Sequence, residues 1–495
     1  MRTYINMRKI ELALCLAAVS ALCSHEASAQ YRTGPAQADS LVQQTLSVAD
    51  TASVPVVITL EQALQIALSE NIPVKVADQE IQRTTYARKG TYASLFPQID
   101  LSGTYQRTIK KQVMYMDFDM GTAGGGSSEG DGTGSGEGFT MPDTSEGLEV
   151  GRWNTWAAGL NATMPLVNPQ LWKSLRISGL EVEMAIEKAR SSRLDMVTQV
   201  KQAFYGTLLA KEAFQVYKDV YENALDNLHE TEKKFKAQKA TEYDLTRAQT
   251  SVANAIPDVY NAESSVILSL WQLKAVMGVD LDMNLDVAGK LEDYSSQMLY
   301  AEIQGDSISL ENNTTMRQLA LQAEQLAHSI KMQKYAYIPT LSAAFSFSIN
   351  AMTNDFKFSQ YQWTPYSYVG VNLSIPIFSG GKRYNDVRQA KTQATQLKLQ
   401  TMDTERNLKI SIRQSLVTME TSMKTYQAAR SAVASARKGY SIASKTYQVG
   451  KNTLLELNDA RLALTQAELG ASQAVYDYLV AKAILEQTLG HDFAE

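Results

Sequence analysis

Four stretches of this chain alternate apolar and polar residues for about ten residues each, the length of a tilted strand crossing a bilayer. Four is too few strands to close a barrel. In the first stretch Ile99, Leu101, Gly103 and Tyr105 face one way and Gln98, Asp100, Ser102 and Thr104 the other. In the second, Trp156, Ala158, Leu160, Ala162 and Met164 oppose Thr155, Gly159, Asn161 and Thr163. In the third, Leu341, Ala343, Phe345, Phe347 and Ile349 oppose Thr340, Ser342, Ser346, Ser348 and Asn350. In the fourth, Val369, Val371, Leu373, Ile375 and Ile377 oppose Tyr368, Gly370, Asn372 and Ser374. A period of two is that of a strand with one greasy and one wet face. Trp153, Trp156, Tyr361, Trp363, Tyr366 and Tyr368 gather near the loop-side ends, as an interfacial girdle would. An open sheet edge in hydrocarbon leaves N–H and C=O groups unpaired, at several kcal/mol each. Several chains must then share one barrel. Two chains give a cylinder filled by its own side chains; three are the fewest that leave a bore. The rival is a soluble sandwich, which normally needs more than four strands in a chain this long.

The remaining sequence reads as very long helices. No proline occurs from residue 170 to 256, and none after Pro376. Gln170 to Gln238 and Lys382 to Val449 are continuous helix-favouring runs. At 1.5 Å per residue each would be about 100 Å long. No single globular core covers such helices, so they must pack side by side in coiled-coil fashion. Ala428, Ala432 and Ala436, then Ala467, Ala471, Ala474 and Ala481, permit close approach. The rest of the surface is rich in Gln, Ser, Thr and Asn, which suits the wall of a hollow cylinder; an ordinary bundle with a small-residue seam is the plainer reading. Pro257 should kink the second long helix.

The two halves echo each other. Pro97 aligns with Pro339 and Pro165 with Pro376; Phe235, Leu245, Ala248 and Gly278 align with Tyr447, Leu457, Ala460 and Gly490 at a constant spacing of 212. A spacing held over more than forty residues marks an internal repeat. The first repeat spans 58–290, with strands near 97–107 and 153–166 and helices over 170–238 and 242–278. A linker covers 291–310. The second repeat spans 311–495, with a helix over 312–336, strands over 339–350 and 366–378, and helices over 381–449 and 453–489. Pro73 breaks the opening helix of the first half. The first half also carries a low-complexity glycine-rich loop, Gly121 to Phe139, without a counterpart in the second.

Residues 1–29 read as a signal peptide: Arg2, Arg8 and Lys9, then an apolar run from Leu12 to Cys23, then Ala27-Ser28-Ala29 before a mature start at Gln30. Residues 30–57 are a polar extension. Both cysteines, Cys15 and Cys23, fall in the leader, which excludes disulfides and thiol chemistry from the mature chain. Lipidation at Cys23 is the rival start, against which Leu22 stands where a small residue belongs. The chain carries a net charge of −5, and the leader contributes +1 to it, leaving a mildly acidic mature protein that is a poor nucleic-acid binder. His229, His328 and His491 are scattered, and no phosphate loop, metal cluster or nucleophile motif stands out. No enzyme, cofactor or metal is therefore expected. No apolar run reaches the 18 residues of a helical span. An exported coiled-coil or adhesin-like stalk remains the alternative, and it predicts no two-faced strands.

The repeat, the "ITLEQALQIAL" opening, the two proline–strand units and the turn "YQVGKNTLLELNDARLALTQAE" resemble TolC and the outer membrane efflux proteins over roughly residues 58 to 492. The resemblance implies a mixed α and β membrane protein. It would be a homotrimer with a twelve-stranded barrel, four strands per chain, and a twelve-helix periplasmic coiled-coil tunnel. It implies the outer membrane of a Gram-negative bacterium, with outer-membrane lipid around the barrel and a large periplasmic portion. It implies docking with a periplasmic adaptor (a membrane fusion protein) and an inner-membrane transporter of RND, ABC or similar type. Pro165, Pro169, Pro376, Gly380 and Gly381 would lie at the barrel–tunnel joints. Val449, Gly450, Lys451 and Asn452 would form an adaptor-contacting turn, with Gly450 in a left-handed conformation and Thr453 capping the next helix. Gln238 and Lys239 mark the matching first-half turn, which lacks a glycine. Glu456 and Asp459, with Asp244 from the first half, fall on positions that ring the narrowest part of the tunnel. In the TolC branch an arginine helps latch that entrance; here Asn452 stands in its place, and Lys451 or Arg247 would have to substitute.

Overall fold

A computed structural model describes residues 55–114, 148–298 and 309–491. The leader, the extension up to residue 54 and the loop Gly121 to Phe139 lie outside the described residues. The first half runs β1 (Val56–Ile58), α1 (Leu60–Glu70), α2 (Ile72–Ala93), β2 (Gln98–Arg107), β3 (Gln112–Met114), β4 (Leu148–Val150), β5 (Asn154–Val167), α3 (Pro169–Lys236), α4 (Glu242–Met277) and β6 (Leu285–Val287). The second half runs α5 (Thr314–Tyr335), β7 (Thr340–Thr353), β8 (Thr364–Ser374), α6 (Lys382–Gln448) and α7 (Leu454–Leu489). Short 3-10 turns cover Leu291–Gln297 and Phe358–Gln360.

Local chemistry sets most of these limits. The hydroxyl of Thr59 accepts the N–H of Gln62 while the Gln62 side chain accepts the N–H of Thr59, which opens α1. Pro73 falls in the first turn of α2, where a missing N–H breaks no helical bond. Pro257 also sits inside a helix, and α4 continues unbroken through it rather than ending there. Strand β8 stops at Ser374, four residues before the end that alternation alone suggests. Pro376 has no N–H for a ladder, and the run Ile375–Ile377 leaves the sheet with Ile377 91% exposed.

Strands β2, β5, β7 and β8 form one antiparallel sheet in that order. A parallel pair, β1 with β6, and a small hairpin, β3 with β4, make two further sheets. Three-residue strands are too short to show a period, so sequence alone gave no sign of them.

The chain folds as two compact units. One is drawn from the described parts of Met1–Ile72, Met196–Leu299 and Thr421–Val480, the other from those of Pro73–Asp195, Tyr300–Glu420 and Ala481–Glu495. The four-stranded sheet belongs wholly to the second. In the first, Glu212 of α3 accepts the N–H of Leu291 at 2.8 Å and the hydroxyl of Ser472 at 2.5 Å, and Lys211 pairs with Asp286 at 2.9 Å. These bonds tie α3 and α7 to the segment around β6.

One contact occurs once in each unit. The amide of Asn71 donates to the carbonyl of Val276 at 2.7 Å, and that of Asn313 to the carbonyl of Thr488 at 2.7 Å. Beside each, a left-handed glycine ends a helix: Gly278 (φ 77) after α4 and Gly490 (φ 72) after α7. A Cβ on Gly278 would stand 2.9 Å from Asn71 Cα, and one on Gly490 would overlap the Asn312 carbonyl oxygen. Only glycine meets both the dihedral and the space. Gly490→Ala is therefore expected to destabilise the protein by about 1–3 kcal/mol. Gly470→Ala, in open space inside α7, should stabilise it by about 0.5–1 kcal/mol. Thermal unfolding of the two variants in detergent checks the opposite signs.

Candidate functional site

The register of the sheet gathers the alternating residues into two continuous faces. Leu101, Leu160 and Phe347 lie side by side across β2, β5 and β7, and Ala162, Phe345 and Val369 across β5, β7 and β8. Leu101 is 81% exposed and Val369 80% exposed. On the opposite face Asp100, Asn161 and Ser346 align, and the Ser346 hydroxyl donates to Asn161 at 2.7 Å. Among the described residues most of the apolar face is thus uncovered within the protomer, which is the arrangement of a sheet whose solvent is lipid on one side and water on the other.

The aromatic residues divide between these faces. Tyr105 and Trp156 are cross-strand partners on the apolar face, with ring centroids 4.3 Å apart. Phe358, from the loop after β7, packs edge-on against Trp156 at 5.0 Å, and Tyr361 follows Phe358 at 4.9 Å. Tyr366 and Tyr368 instead face Ser348 and Ser346 on the polar side, their rings 5.9 Å apart. Tyr368 thus stands on the polar face that alternation gave it, and Tyr366, two residues earlier, stands there with it.

Strands β2 and β8 each have one partner and one open edge. Between sheet and helices the chain turns sharply. Pro165 lies in β5 where the register with β7 slips by one residue. Pro169 is the first residue of α3, and Asn168 accepts the N–H of Leu171 at 3.1 Å. After Pro376, Gly380 (φ 59) and Gly381 (φ 81) are both left-handed, and α6 begins at Lys382. Arg383 donates to the Pro376 carbonyl at 3.0 Å and stacks over Tyr337, while Lys173 lies over Tyr335.

At the other ends of the long helices the two turns use one bonding scheme. Gly450 donates to Tyr447 and Lys451 to Thr446; Gln238 donates to Phe235 and Lys239 to Lys234. Gln238 has φ 58, the same left-handed conformation as Gly450 at φ 78, without glycine's freedom to adopt it. Sequence reasoning missed this because it looked for a glycine; the constant spacing of 212 marks the position. Each turn then opens the next helix with a reciprocal cap. Asp244 accepts the N–H of Thr241 at 3.0 Å and Thr241 accepts that of Asp244 at 3.1 Å. Glu456 and Thr453 repeat the exchange at 3.3 Å. Two of the three carboxylates singled out in the sequence are thus helix caps. Asp459 is exposed one turn further along α7, on the face of Glu456. Val449, Gly450, Lys451, Gln238 and Lys239 are all exposed, and Asn452 is half-buried.

The two turns rest on a common core of Ala248, Ala443, Tyr447, Leu454 and Leu457. Tyr447 shares a hydrogen bond with the buried Thr231 at 2.8 Å, and Lys234 donates to its carbonyl at 2.9 Å while lying over its ring. Tyr440 donates to Asn223 at 2.8 Å beneath the Arg461 guanidinium. Burial pushes the Tyr440 hydroxyl above its ordinary range; Arg461 opposes that shift and Asp226 adds to it. The hydrogen bonds of Tyr447 with Thr231 and Lys234 and of Tyr440 with Asn223 were not legible beforehand, since those partners lie more than two hundred residues away. Among the described residues no three His, Cys, Asp or Glu are placed to hold a metal, and no helix is long and apolar enough to cross a membrane.

Two outcomes follow from this geometry. Val369→Arg, mid-strand on the apolar face, should destabilise the membrane-inserted form by about 2–4 kcal/mol, whereas Asn372→Arg on the polar face should be tolerated. Leu373 is apolar-facing too but ends its strand, so an arginine there should cost only about 0–1 kcal/mol. Denaturant resistance in detergent ranks the three, and equal values for Val369→Arg and Asn372→Arg would mean the faces are wrong. Gln238→Gly should raise stability by roughly 0.5–1 kcal/mol by relieving the left-handed strain, read as an upward shift in thermal midpoint.

The chain matches the family model for outer membrane efflux proteins over residues 63–279 and 307–491. It is 22% identical over 243 residues to outer membrane protein TolC of Vibrio cholerae, covering 48% of this chain and 54% of that one. It is also 22% identical over 249 residues to the alkaline protease secretion protein AprF of Pseudomonas aeruginosa, covering 48% of this chain and 49% of that protein. The aligned part thus spans about half the length of these curated relatives. The crystal structure of the Campylobacter jejuni CmeC outer membrane channel superposes with a TM-score of 0.67 at 19% identity, covering 87% of this chain and 85% of that one.

Proposed function

This chain belongs to the outer membrane efflux protein family, and on that premise we propose that it is the outer-membrane duct of a tripartite export system. The carrying observation is the sheet: one uncovered apolar face, one polar face, and two open edges on a four-stranded span. Pairing β8 of one copy with β2 of the next satisfies both edges, and three copies give a twelve-stranded barrel with a bore. The recurring turns, caps and asparagine clasps at matched positions support reading the chain as two repeats of one unit. Six long helix hairpins in the trimer would then wall a periplasmic tunnel. A periplasmic adaptor would engage the exposed turns around Gly450 and Gln238. An inner-membrane transporter of RND, ABC or similar type would supply cargo. A coiled-coil stalk leaves the two-faced sheet without a purpose.

The proposed constriction is a ring of Glu456 and Asp459 from three chains, with Asp244 beside it. Six carboxylates at one narrow opening concentrate cations, as acidic rings do in cation channels. The trimer should be recovered from the outer-membrane fraction with mild detergent; a monodisperse monomer with full sheet content would overturn the shared barrel. In planar bilayers the pore should be cation-selective and blocked by a trivalent cation from the periplasmic side. Glu456→Gln with Asp459→Asn should relieve that block with the trimer intact, since glutamine keeps the helix cap. Block at the same concentration in parent and variant would remove these residues from the constriction.

A further inference from the structure

We propose that the helix turns bordering the periplasmic end of the sheet form a docking belt for anionic phospholipid headgroups in the adjoining bilayer leaflet. The proposal rests on reading the sheet as a membrane barrel.

Charge is the first support. The fifteen residues flanking each of β2, β5, β7 and β8 at this end hold ten Lys or Arg against two Asp or Glu, in a chain of net charge −5. Three of these cations have carboxylate partners: Arg83 with Glu80 at 2.6 Å, Arg176 with Glu324 at 3.3 Å and Lys382 with Asp386 at 2.8 Å.

The second support is where the charges sit on their helices. A helix N-terminus favours acidic side chains, because its free N–H groups carry partial positive charge. Helices α4 and α7 obey, with Glu242 and Asp244, and Glu456, in their first turns. Helices α3 and α6 carry no acid there, nor do α2 and α5, and α6 alone among these four opens on two cations, Lys382 and Arg383. Stacking cations on a positive helix end is unfavourable unless an anion comes to it. Helices α3 and α6 both start beside the sheet, where a headgroup phosphate would lie.

Ring geometry is the third. Beyond the pairs of Lys173 and Arg383 already described, Arg88 lies over Tyr92, Lys89 over Tyr86 and Arg388 over Tyr384. Tyrosine beside lysine or arginine suits the headgroup level, with the ring in the apolar boundary and the cation in water. Between strands and cations stand Phe96, Trp172, Ile377 and Phe378, 61%, 51%, 91% and 87% exposed. A free phosphate gives no use for that apolar row, whereas a phospholipid supplies acyl chain and phosphate together.

The test is native mass spectrometry of the full chain in detergent with equimolar phosphatidylglycerol and phosphatidylcholine. Trp172 fluorescence during titration with each lipid is the second readout. The expected result is about tenfold preferential retention of phosphatidylglycerol at low salt, falling as salt rises. Lys173→Gln with Lys382→Gln and Arg388→Gln should abolish most of that preference, and Lys445→Gln with Lys451→Gln at the far turn should not change it. An indifferent parent overturns the proposal, and that readout needs no variant to fold. A triple variant that alters oligomer stability but keeps the lipid preference also overturns it. A parent that stays in solution without detergent sinks the barrel reading itself, whereas one that reconstitutes yet ignores phosphatidylglycerol sinks only the belt.

Discussion

The structure depends on the hydrogen bonds its sheet leaves unmade. Strands β2 and β8 each pair on one side only, while the face they share is too apolar for water. In hydrocarbon every free N–H and C=O is penalised. In the barrel proposed above, copies of the same chain supply the missing pairing, and the polar face, with Asp100, Asn161 and Ser346 in a row, would line the bore.

The helices solve a different problem. Side chains alone do not hold a 68-residue helix such as α3 in register over its length; its ends must be fixed. At one end Pro169 and Asn168 set the start, and at the other the left-handed turn at Gln238 and the Thr241–Asp244 cap reverse the chain. Between them, Glu212 and Lys211 anchor the helix to the segment around β6. Fixed points at both ends and at the middle let the remaining surface stay rich in small and polar residues.

Legibility in the sequence followed the range of the interaction. Alternation located the four sheet strands, because a period of two is written in consecutive residues, and the faces it gave are those the register assembles. The break at Pro73 and the cap at Thr453 were equally local. The left-handed conformation of Gln238 was not legible, because it is imposed by the bonds of Lys239 to Lys234 and Gln238 to Phe235 and not by the residue's own preference. The core around Tyr447 and Thr231 depends on residues 216 apart in sequence, and nothing local announces such a pair.

The two reciprocal caps are complete within one chain, whereas the sheet is not. The helix turns can therefore mature in an isolated, freshly exported molecule, with no partner needed. If copies share one barrel as proposed, the sheet finishes only when they meet, and its rate of completion should rise steeply with the number of chains in the compartment. A cell making too few copies would accumulate protomers with finished helical ends and exposed strand edges, the form most prone to capture by quality-control proteases.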